Sequence, residues 1–326
     1  IVLEWEPNPE SDLASYKVFG DTNPNPTTLL SIVTAGTETY THDNLTNGTT
    51  YYYRISALNN AGNESGYSEE VSTAPFSYYI VWTEGGSGNT KIYTYETDTW
   101  EDISSPGGAN GGYIDMVFDI ESDRVIWVAG SSGNAKAYDY NTDTWENVSW
   151  PGSTNGVGFG MAYDSESDRI IWAEGNSGSA KAYDYNTDTW ENLNGPGGSN
   201  GQDIVLAYDI ESDRVIWTEG GGGTTKAYDY NTDTWEDISS PGHANGDYLA
   251  MTYNAKYDRV IWTSSWNGQT KAYDYNADTW ESISSPGGGN GRGIALAYDA
   301  ENDRVIWAEG NAGDTKAYNY NTDNWE

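Results

Sequence analysis

The chain contains no cysteine, and histidine, lysine and arginine are scarce. Its 326 residues include two histidines and 15 lysines and arginines, against 50 aspartates and glutamates. Without cysteine the protein can form neither a disulfide framework nor a thiolate metal ligand or nucleophile. The formal charge of −35 argues against nucleic-acid partners, whose phosphates need Lys and Arg to displace their counterions. It equally disfavours docking on anionic membrane surfaces.

Long apolar runs and helical patterns are missing as well. No stretch of about 18 apolar residues occurs, so we expect no membrane insertion. No segment has a helical apolar stripe, whereas glycine reaches 38 residues and aromatics 14%. The chain starts at Ile1 with neither a start methionine nor a signal-like apolar segment, which suggests a mature or trimmed form. This composition predicts an all-β protein.

Tryptophan recurs at a fixed spacing of 45 residues in two ladders. The ladders are Trp82, Trp127, Trp172, Trp217, Trp262, Trp307 and Trp100, Trp145, Trp190, Trp235, Trp280, Trp325. A period of this length, with turn signals inside each copy, is typical of propeller blades. Each copy has four short runs rich in aromatic and β-branched residues, which predicts a four-stranded antiparallel meander. We expect the ladder tryptophans to form the core and the packing between blades.

A tyrosine stands seven residues before each tryptophan of the second ladder. The pairs are Tyr93/Trp100, Tyr138/Trp145, Tyr183/Trp190, Tyr228/Trp235, Tyr273/Trp280 and Tyr318/Trp325. This pattern resembles the kelch-type β-propeller, although the diglycine of that family is kept only at Gly85-Gly86 and Gly220-Gly221. The resemblance covers residues 77–326 and implies six blades. It says little about activity, because such propellers serve as scaffolds, binding platforms and occasionally enzymes.

The first 75 residues lack the 45-residue period and carry a different pattern. Leu3 and Trp5 alternate in an early strand, and residues 45–51 read LTNGTTY before a long strand rich in tyrosine. This closely resembles a fibronectin type III domain, which implies an immunoglobulin-like sandwich with Trp5 in its core and residues 45–51 as its tyrosine corner. The first strand of such a sandwich would precede Ile1. The predicted domains are therefore a sandwich at 1–75 and a propeller at 76–326.

Counting strands indicates that the first blade is incomplete. Blades two to six supply an innermost strand as IDMVFD, FGMAYD, IVLAYD, LAMTYN and IALAYD, whereas blade one opens directly on its second strand, YYIVWTE. An unpaired strand position leaves backbone N–H and C=O groups open to another chain. We expect a gap there or a strand donated by a neighbouring molecule, and six complete blades would refute this.

The turns of the meander suggest a candidate calcium site. The first-to-second and third-to-fourth turns should share one densely acidic face, opposite a flatter face of Gly-rich loops and blade connections. The spacing of oxygen ligands that opens a calcium loop occurs at Asp139, Asn141 and Asp143 and again at Asp184, Asn186 and Asp188. Thr144 stands where that loop needs Gly, and Trp150 where it needs a bidentate Glu. The pattern favours Asx-type turns, with calcium binding as the alternative; no cofactor is required.

Other residues are candidates for contacts or modification. The arginine that opens each second strand, as at Arg124, follows an Asp and is expected to pair with carboxylates. Trp150 and Trp266 fall outside both ladders in Gly-rich loops and are candidates for a contact surface. Candidate N-glycosylation sequons, relevant if the protein is exported, occur at Asn44, Asn47, Asn63 and Asn147.

Enzymatic readings are weak. The two histidines, His42 and His243, lie in different predicted domains, with no catalytic triad context. Near-identical blades repeat one environment, whereas acid–base catalysis needs groups whose pKa values differ. We therefore expect no enzymatic activity. A polysaccharide-active enzyme remains only a third hypothesis, because many carboxylates could supply a pair.

The sequence thus predicts an extracellular or cell-surface protein with a structural or adhesive role. Two incomplete ends lead us to expect head-to-tail contacts between copies of itself, as the repeating subunit of a filament assembled by strand complementation. The alternative is a multivalent, lectin-like propeller that binds glycans, because equal weak sites give avidity.

Overall fold

The computed structural model describes residues 1–43, 45, 49–73, 80–84, 88–107, 114–130, 133–152, 158–175, 178–197, 203–220, 223–242, 248–265, 268–287, 293–310 and 313–326. The chain divides into two compact units, Ile1–Ser77 and Tyr78–Glu326. Both are built of β-strands, and a 3-10 turn at Tyr95–Thr97 is the single helical element among the described residues. None of these described residues forms a helix long and apolar enough to cross a membrane.

The first unit is an immunoglobulin-like sandwich. Its strands are β1 (Val2–Glu4), β2 (Leu13–Asp21), β3 (Leu29–Thr34), β4 (Thr39–Thr41), β5 (Tyr51–Asn59) and β6 (Val71–Thr73). One sheet pairs β1 with β4, and the other has the order β3-β2-β5-β6. Trp5 packs edge-on against Tyr16, with ring centroids 5.3 Å apart. Tyr16, Val18 and Tyr53 are buried, so alternate side chains of β2 and β5 supply the core.

The second unit is a six-bladed propeller of antiparallel meanders. Blade 1 consists of β7 (Ile80–Thr83), β8 (Thr90–Thr94) and β9 (Thr99–Ile103); blade 2 of β10 (Ile114–Asp119), β11 (Arg124–Ala129), β12 (Asn134–Asp139) and β13 (Thr144–Asn147); blade 3 of β14 (Phe159–Asp164), β15 (Arg169–Glu174), β16 (Ala180–Asp184) and β17 (Thr189–Leu193). Blade 4 consists of β18 (Ile204–Asp209), β19 (Arg214–Glu219), β20 (Thr225–Asp229) and β21 (Thr234–Asp237); blade 5 of β22 (Leu249–Asn254), β23 (Arg259–Ser264), β24 (Gln269–Asp274) and β25 (Thr279–Ile283); blade 6 of β26 (Ile294–Asp299), β27 (Arg304–Glu309), β28 (Thr315–Asn319) and β29 (Asn324–Trp325).

The core lies between the blades. The first-ladder tryptophans of blades 2 to 6, on the second strands, are at most 2% exposed. In the cluster between blades 3 and 4, for example, Ile171 packs with Leu206 and Trp217. Each blade alone is a thin sheet with two apolar faces, so stacking is what buries the aromatic side chains.

Blade 6 closes the ring against blade 1. The Tyr95 hydroxyl donates to Glu326 Oε1 at 3.0 Å, and Trp100 Nε1 donates to Thr315 Oγ1 at 3.3 Å. Tyr93 packs in one cluster with Ile306. Blade 1 nevertheless has only three strands within the described residues, in the order β7-β8-β9, while the other five sheets have four. The predicted incomplete first blade is confirmed.

Candidate functional site

The open inner edge of blade 1 exposes a tryptophan that the other blades bury. Trp217 lies opposite Leu206 of the first strand and Lys226 of the third strand of its sheet. Its counterpart Trp82 lies opposite Lys91 and has no strand on its other side within the described residues. Trp82 is therefore half-buried, whereas Trp217 is fully buried. This edge offers both main-chain groups and an aromatic surface to another strand.

Phe118 makes the neighbouring blade apolar at the same place. The innermost strands of blades 3 to 6 carry a tyrosine at this position, as at Tyr163 and Tyr208. Burial, together with Asp164 of the preceding blade, raises the pKa of Tyr208, which shows that its hydroxyl reaches across the blade boundary. Blade 2 has Phe118 instead, 46% exposed, where Tyr163 and Tyr208 are 8% and 7% exposed. The side chain bordering the incomplete blade is thus a phenyl ring with no hydroxyl to pair.

Asp115 is a second departure from the repeat on the same strand, β10. The equivalent positions in the other complete blades are Gly160, Val205, Ala250 and Ala295. Asp115 accepts hydrogen bonds from the Met161 N–H at 2.6 Å and the Met116 N–H at 2.8 Å. Burial raises the pKa of Asp115 to about 7, although these two N–H groups favour the carboxylate. An ionisable group therefore joins the inner strands of blades 2 and 3.

A recurring clamp joins each outer strand to the next blade. In blade 2, Trp145 Nε1 donates to the Ser104 carbonyl at 2.8 Å, and Asp143 Oδ1 accepts from the Ser104 N–H at 2.9 Å. The Tyr138 hydroxyl also donates to Asp143 Oδ1, at 2.9 Å. The same three-part contact holds the residues Ser149, Asn194, Ser239 and Ser284 in blades 3 to 6.

The backbone places the clamp carboxylate. Asp143 has a φ of 51°, in the left-handed region that Asp tolerates better than most residues. The N–H of Ser104 is the largest influence that lowers the pKa of Asp143. A charged acceptor strengthens this bond relative to a neutral one. The clamp thus reads one residue's main-chain N–H and C=O together.

The residues predicted for calcium take part in these turns. Asp139 Oδ1 accepts from the Asn141 N–H at 2.8 Å, and its Oδ2 pairs with Arg124 at 3.1 Å. Asn141 donates to Asp123 at 3.0 Å, and Asp143 is the clamp residue. Asp184 pairs with Arg169 at 3.1 Å, Asn186 donates to Asp168 at 3.1 Å, and Asp188 is the clamp residue of blade 3. No group of three or more acidic or histidine side chains suited to a metal ion occurs among the described residues.

The arginines pair with carboxylates, as predicted. Besides Arg124 and Arg169, Arg214 and Arg259 contact the equivalent aspartates, Asp229 and Asp274, at 3.1 and 2.8 Å. Arg304 contacts Glu326 instead, at 3.3 Å, because Asn319 replaces the aspartate in blade 6. These pairs tie the first-to-second turn to the third-to-fourth turn, so the two turns share one edge of each blade.

The connections between blades differ from the expected placement. They were expected on the face opposite the acidic turns, yet Ser104 contacts Asp143 in the third-to-fourth turn of the next blade. The twist of each sheet carries the end of the outer strand toward that turn. The later parts of the connections, such as 108–113, lie outside the described residues.

The remaining candidates are scattered over both units. Asn63 and Asn147 are exposed, while Asn44, Asn47 and Trp266 lie outside the described residues. Trp150 is half-buried and packs on the cluster between blades 2 and 3. A Cβ at Gly133 would lie 3.6 Å from the Trp150 ring, so much of that ring faces its own blade.

Comparison with known proteins supports both parts of the fold. Residues 1–74 match the fibronectin type III domain, a module typical of extracellular proteins. No curated protein matches the sequence. A structure from a nidogen–laminin complex aligns with a TM-score of 0.59 at 12% identity, covering 76% of this chain and 91% of that chain.

Two bacterial or bacterially named folds align similarly. A protein of unknown function from Bacteroides thetaiotaomicron gives a TM-score of 0.53 at 11% identity, covering 95% of this chain and 98% of that chain. A streptogramin B lyase gives 0.53 at 11%, covering 76% and 78%. At such identities the likeness establishes the propeller fold alone, and the kelch subfamily stays a prediction.

Proposed function

We propose that the protein is a non-enzymatic, extracellular structural or adhesive protein that assembles with copies of itself by strand complementation at blade 1. The observation that carries this proposal is the three-stranded sheet β7-β8-β9, beside a half-buried Trp82 and the exposed Phe118. An added strand would satisfy main-chain groups and cover both aromatic rings.

The N-terminal module of a second copy is the proposed donor. In its β1–β4 sheet each strand has one partner within the described residues, so strand edges remain for pairing there as well. A contact between unlike surfaces that does not close on itself generates a filament. The fibronectin type III match supports a surface location and a spacer or adhesive role.

Self-association is expected to depend on Phe118. Sedimentation velocity of the wild-type protein over a wide concentration range should show species larger than the monomer. Phe118→Lys should shift the distribution toward monomer, because it places a charge beside the open edge. Ile210→Lys is the matched control, since Ile210 is exposed to a similar degree, 50%, in blade 4. A wild-type protein that stays monomeric throughout, with its ends verified by intact mass, would refute assembly.

We also propose that the propeller is of the kelch type. The six Tyr-to-Trp pairs are adjacent in the register of the third and fourth strands, as in Tyr138 opposite Trp145. Their rings lie 4.8 Å apart in blade 2, and the Tyr hydroxyl and Trp indole act in the same clamp. A common structural job for both residues supports the reading of this pattern as the hallmark of the subfamily.

Glycan binding is the alternative function, and catalysis on polysaccharides ranks third. Near-identical blades favour multivalent recognition. Against it, the large apolar side chains exposed on the described part of the propeller are Phe118, Ile120, Tyr140 and Ile210, with no tryptophan among them. Stacking on sugar rings would need such an aromatic surface. A glycan array with saturable hits would promote the alternative.

Calcium is expected to act between molecules through the acidic edge. Exposed glutamates recur in the first-to-second turns as Glu121, Glu166, Glu211 and Glu301. Since the turn oxygens are already hydrogen-bonded within each blade, we expect shared ions that screen repulsion between two such surfaces. Light scattering should rise with calcium and fall after chelation. Sodium chloride at equal ionic strength is the control, and unchanged scattering would contradict a role for the ion.

A further inference from the structure

Five of the six clamps hold the same kind of main-chain segment. The held residue begins a tripeptide that ends in proline: Ser104-Ser105-Pro106, Ser149-Trp150-Pro151, Asn194-Gly195-Pro196, Ser239-Ser240-Pro241 and Ser284-Ser285-Pro286. In each case a tryptophan of the next blade donates to the first residue's carbonyl, and an aspartate accepts its N–H. The clamp therefore selects an extended segment with Ser or Asn two residues before Pro.

Blade 1 has the same clamp side chains with a different partner. The Tyr93 hydroxyl donates to Asp98 Oδ1 at 3.0 Å, and Asp98 has the left-handed φ of 51° found in the other clamps. Trp100 packs on Tyr93 at 5.0 Å, as the other clamp tryptophans pack on their tyrosines. Its indole N–H, however, donates to the Thr315 hydroxyl at 3.3 Å. No main-chain segment joins Asp98 and Trp100 in the part of the chain that the structure describes.

The contact between Trp100 and Thr315 is a second choice for the indole. Blade 4 has a threonine at the position equivalent to Thr315, namely Thr225. The adjacent clamp tryptophan, Trp280, nevertheless donates to the Ser239 carbonyl at 2.8 Å. When a carbonyl and a threonine are both within the architecture, the shorter bond to the carbonyl forms. A peptide carbonyl presented to Trp100 is expected to displace Thr315 in the same way.

We propose that Trp100 and Asp98 form a binding site for an extended Ser-x-Pro peptide segment supplied by a separate polypeptide. The indole donates to the serine carbonyl, and the carboxylate accepts the serine N–H. Proline restricts the preceding residue to extended conformations, which lowers the ordering cost of binding. The net charge of −35 disfavours acidic peptides, so the segment is neutral or basic. The site does not depend on self-assembly.

The probe is a synthetic peptide with a fluorescent label and the sequence Asp-Ile-Ser-Ser-Pro-Gly-Gly, as in residues 102–108. Fluorescence anisotropy with the 326-residue protein should show saturable binding. A matched peptide that is N-methylated on the first serine lacks the N–H for Asp98 and should bind about fivefold to tenfold more weakly. Equal affinity of the two peptides would overturn the proposal, as would no binding.

Variants of the protein locate the site. Trp100→Phe keeps the ring against Tyr93 but removes the indole N–H, and Asp98→Asn removes the charge at a position whose φ Asn tolerates. Each should weaken binding by about fivefold to tenfold. Trp235→Phe is the matched control, because Trp235 already donates to the Asn194 carbonyl at 2.7 Å, and it should leave the affinity unchanged. Circular dichroism establishes that each variant is folded.

Sedimentation of the same samples separates the occupant from a second copy. If the protein is a dimer that the peptide dissociates, the site belongs to another copy and the proposed separate partner is wrong. If binding is unaffected by Trp100→Phe and Asp98→Asn, the peptide lies elsewhere and the site is refuted. Loss of Phe118-dependent assembly has no bearing on this result, since Phe118 is on another strand.

Discussion

Replacing Trp217 with alanine is expected to lower the free energy of unfolding of the propeller by about 3–5 kcal/mol. The same substitution at Trp82 is expected to cost roughly 1–2 kcal/mol, because less apolar area leaves water at that position on folding. Trp217 is 0% exposed and packs with Ile171 and Leu206 of two blades. Trp82 is half-buried and lacks the first-strand neighbour.

The pair is a matched comparison because both rings make the same contact with the second ladder. Trp217 meets Trp235 edge-on at 6.4 Å, and Trp82 meets Trp100 edge-on at 6.4 Å. Equilibrium urea unfolding followed by far-ultraviolet circular dichroism measures both variants without relying on tryptophan emission. Equal losses at the two positions would show that the open edge does not weaken the packing of blade 1.

The repeat made most of the propeller predictable. Strands, turns and the missing strand of blade 1 follow from local features that recur every 45 residues, and each copy adds an independent reading of the same pattern. The paired arginines were also predictable, because Arg124 and Asp139 lie on adjacent strands of one meander. Contacts within a blade depend on short separations that the sequence displays directly.

Contacts between blades were beyond the sequence pattern. Ser104 and Asp143 are 39 residues apart, and their bond depends on how sheet twist aims an outer strand at the next blade. The recurring Ser-x-Pro segments were visible as a signal, but nothing in them identified the tryptophan that they meet. Phe118 and Asp115 could have been found as departures from their columns in the repeat. Their meaning required the structure, which places Phe118 beside the incomplete blade and Asp115 against Met161.

Asp115 is expected to make the propeller less stable as the pH rises from about 4 to 8. Its folded pKa, about 7, is raised above the model value of 3.8 by burial. Below about pH 4 the carboxyl is protonated in both states, and its contribution to stability is fully present. Between these two pKa values the unfolded chain releases the proton while the folded chain keeps it, so stability falls with pH. Above about pH 8 both states are ionised and the loss is complete.

The size of this loss follows from the shift. A full three-unit shift corresponds to about 4 kcal/mol, and the half-buried position of Asp115 reduces the expectation to about 2–4 kcal/mol. Asp115→Asn is the matched reference, since it keeps the shape and one acceptor oxygen for the Met161 N–H but cannot ionise in this range. The difference in unfolding free energy, wild type minus Asp115→Asn, should decrease by that amount between pH 4 and pH 8. Subtracting the variant cancels the other carboxylates, which titrate alike in both proteins. A difference that is constant with pH would show that Asp115 ionises at its ordinary pKa, and that the bond between the inner strands of blades 2 and 3 is made by a carboxylate throughout.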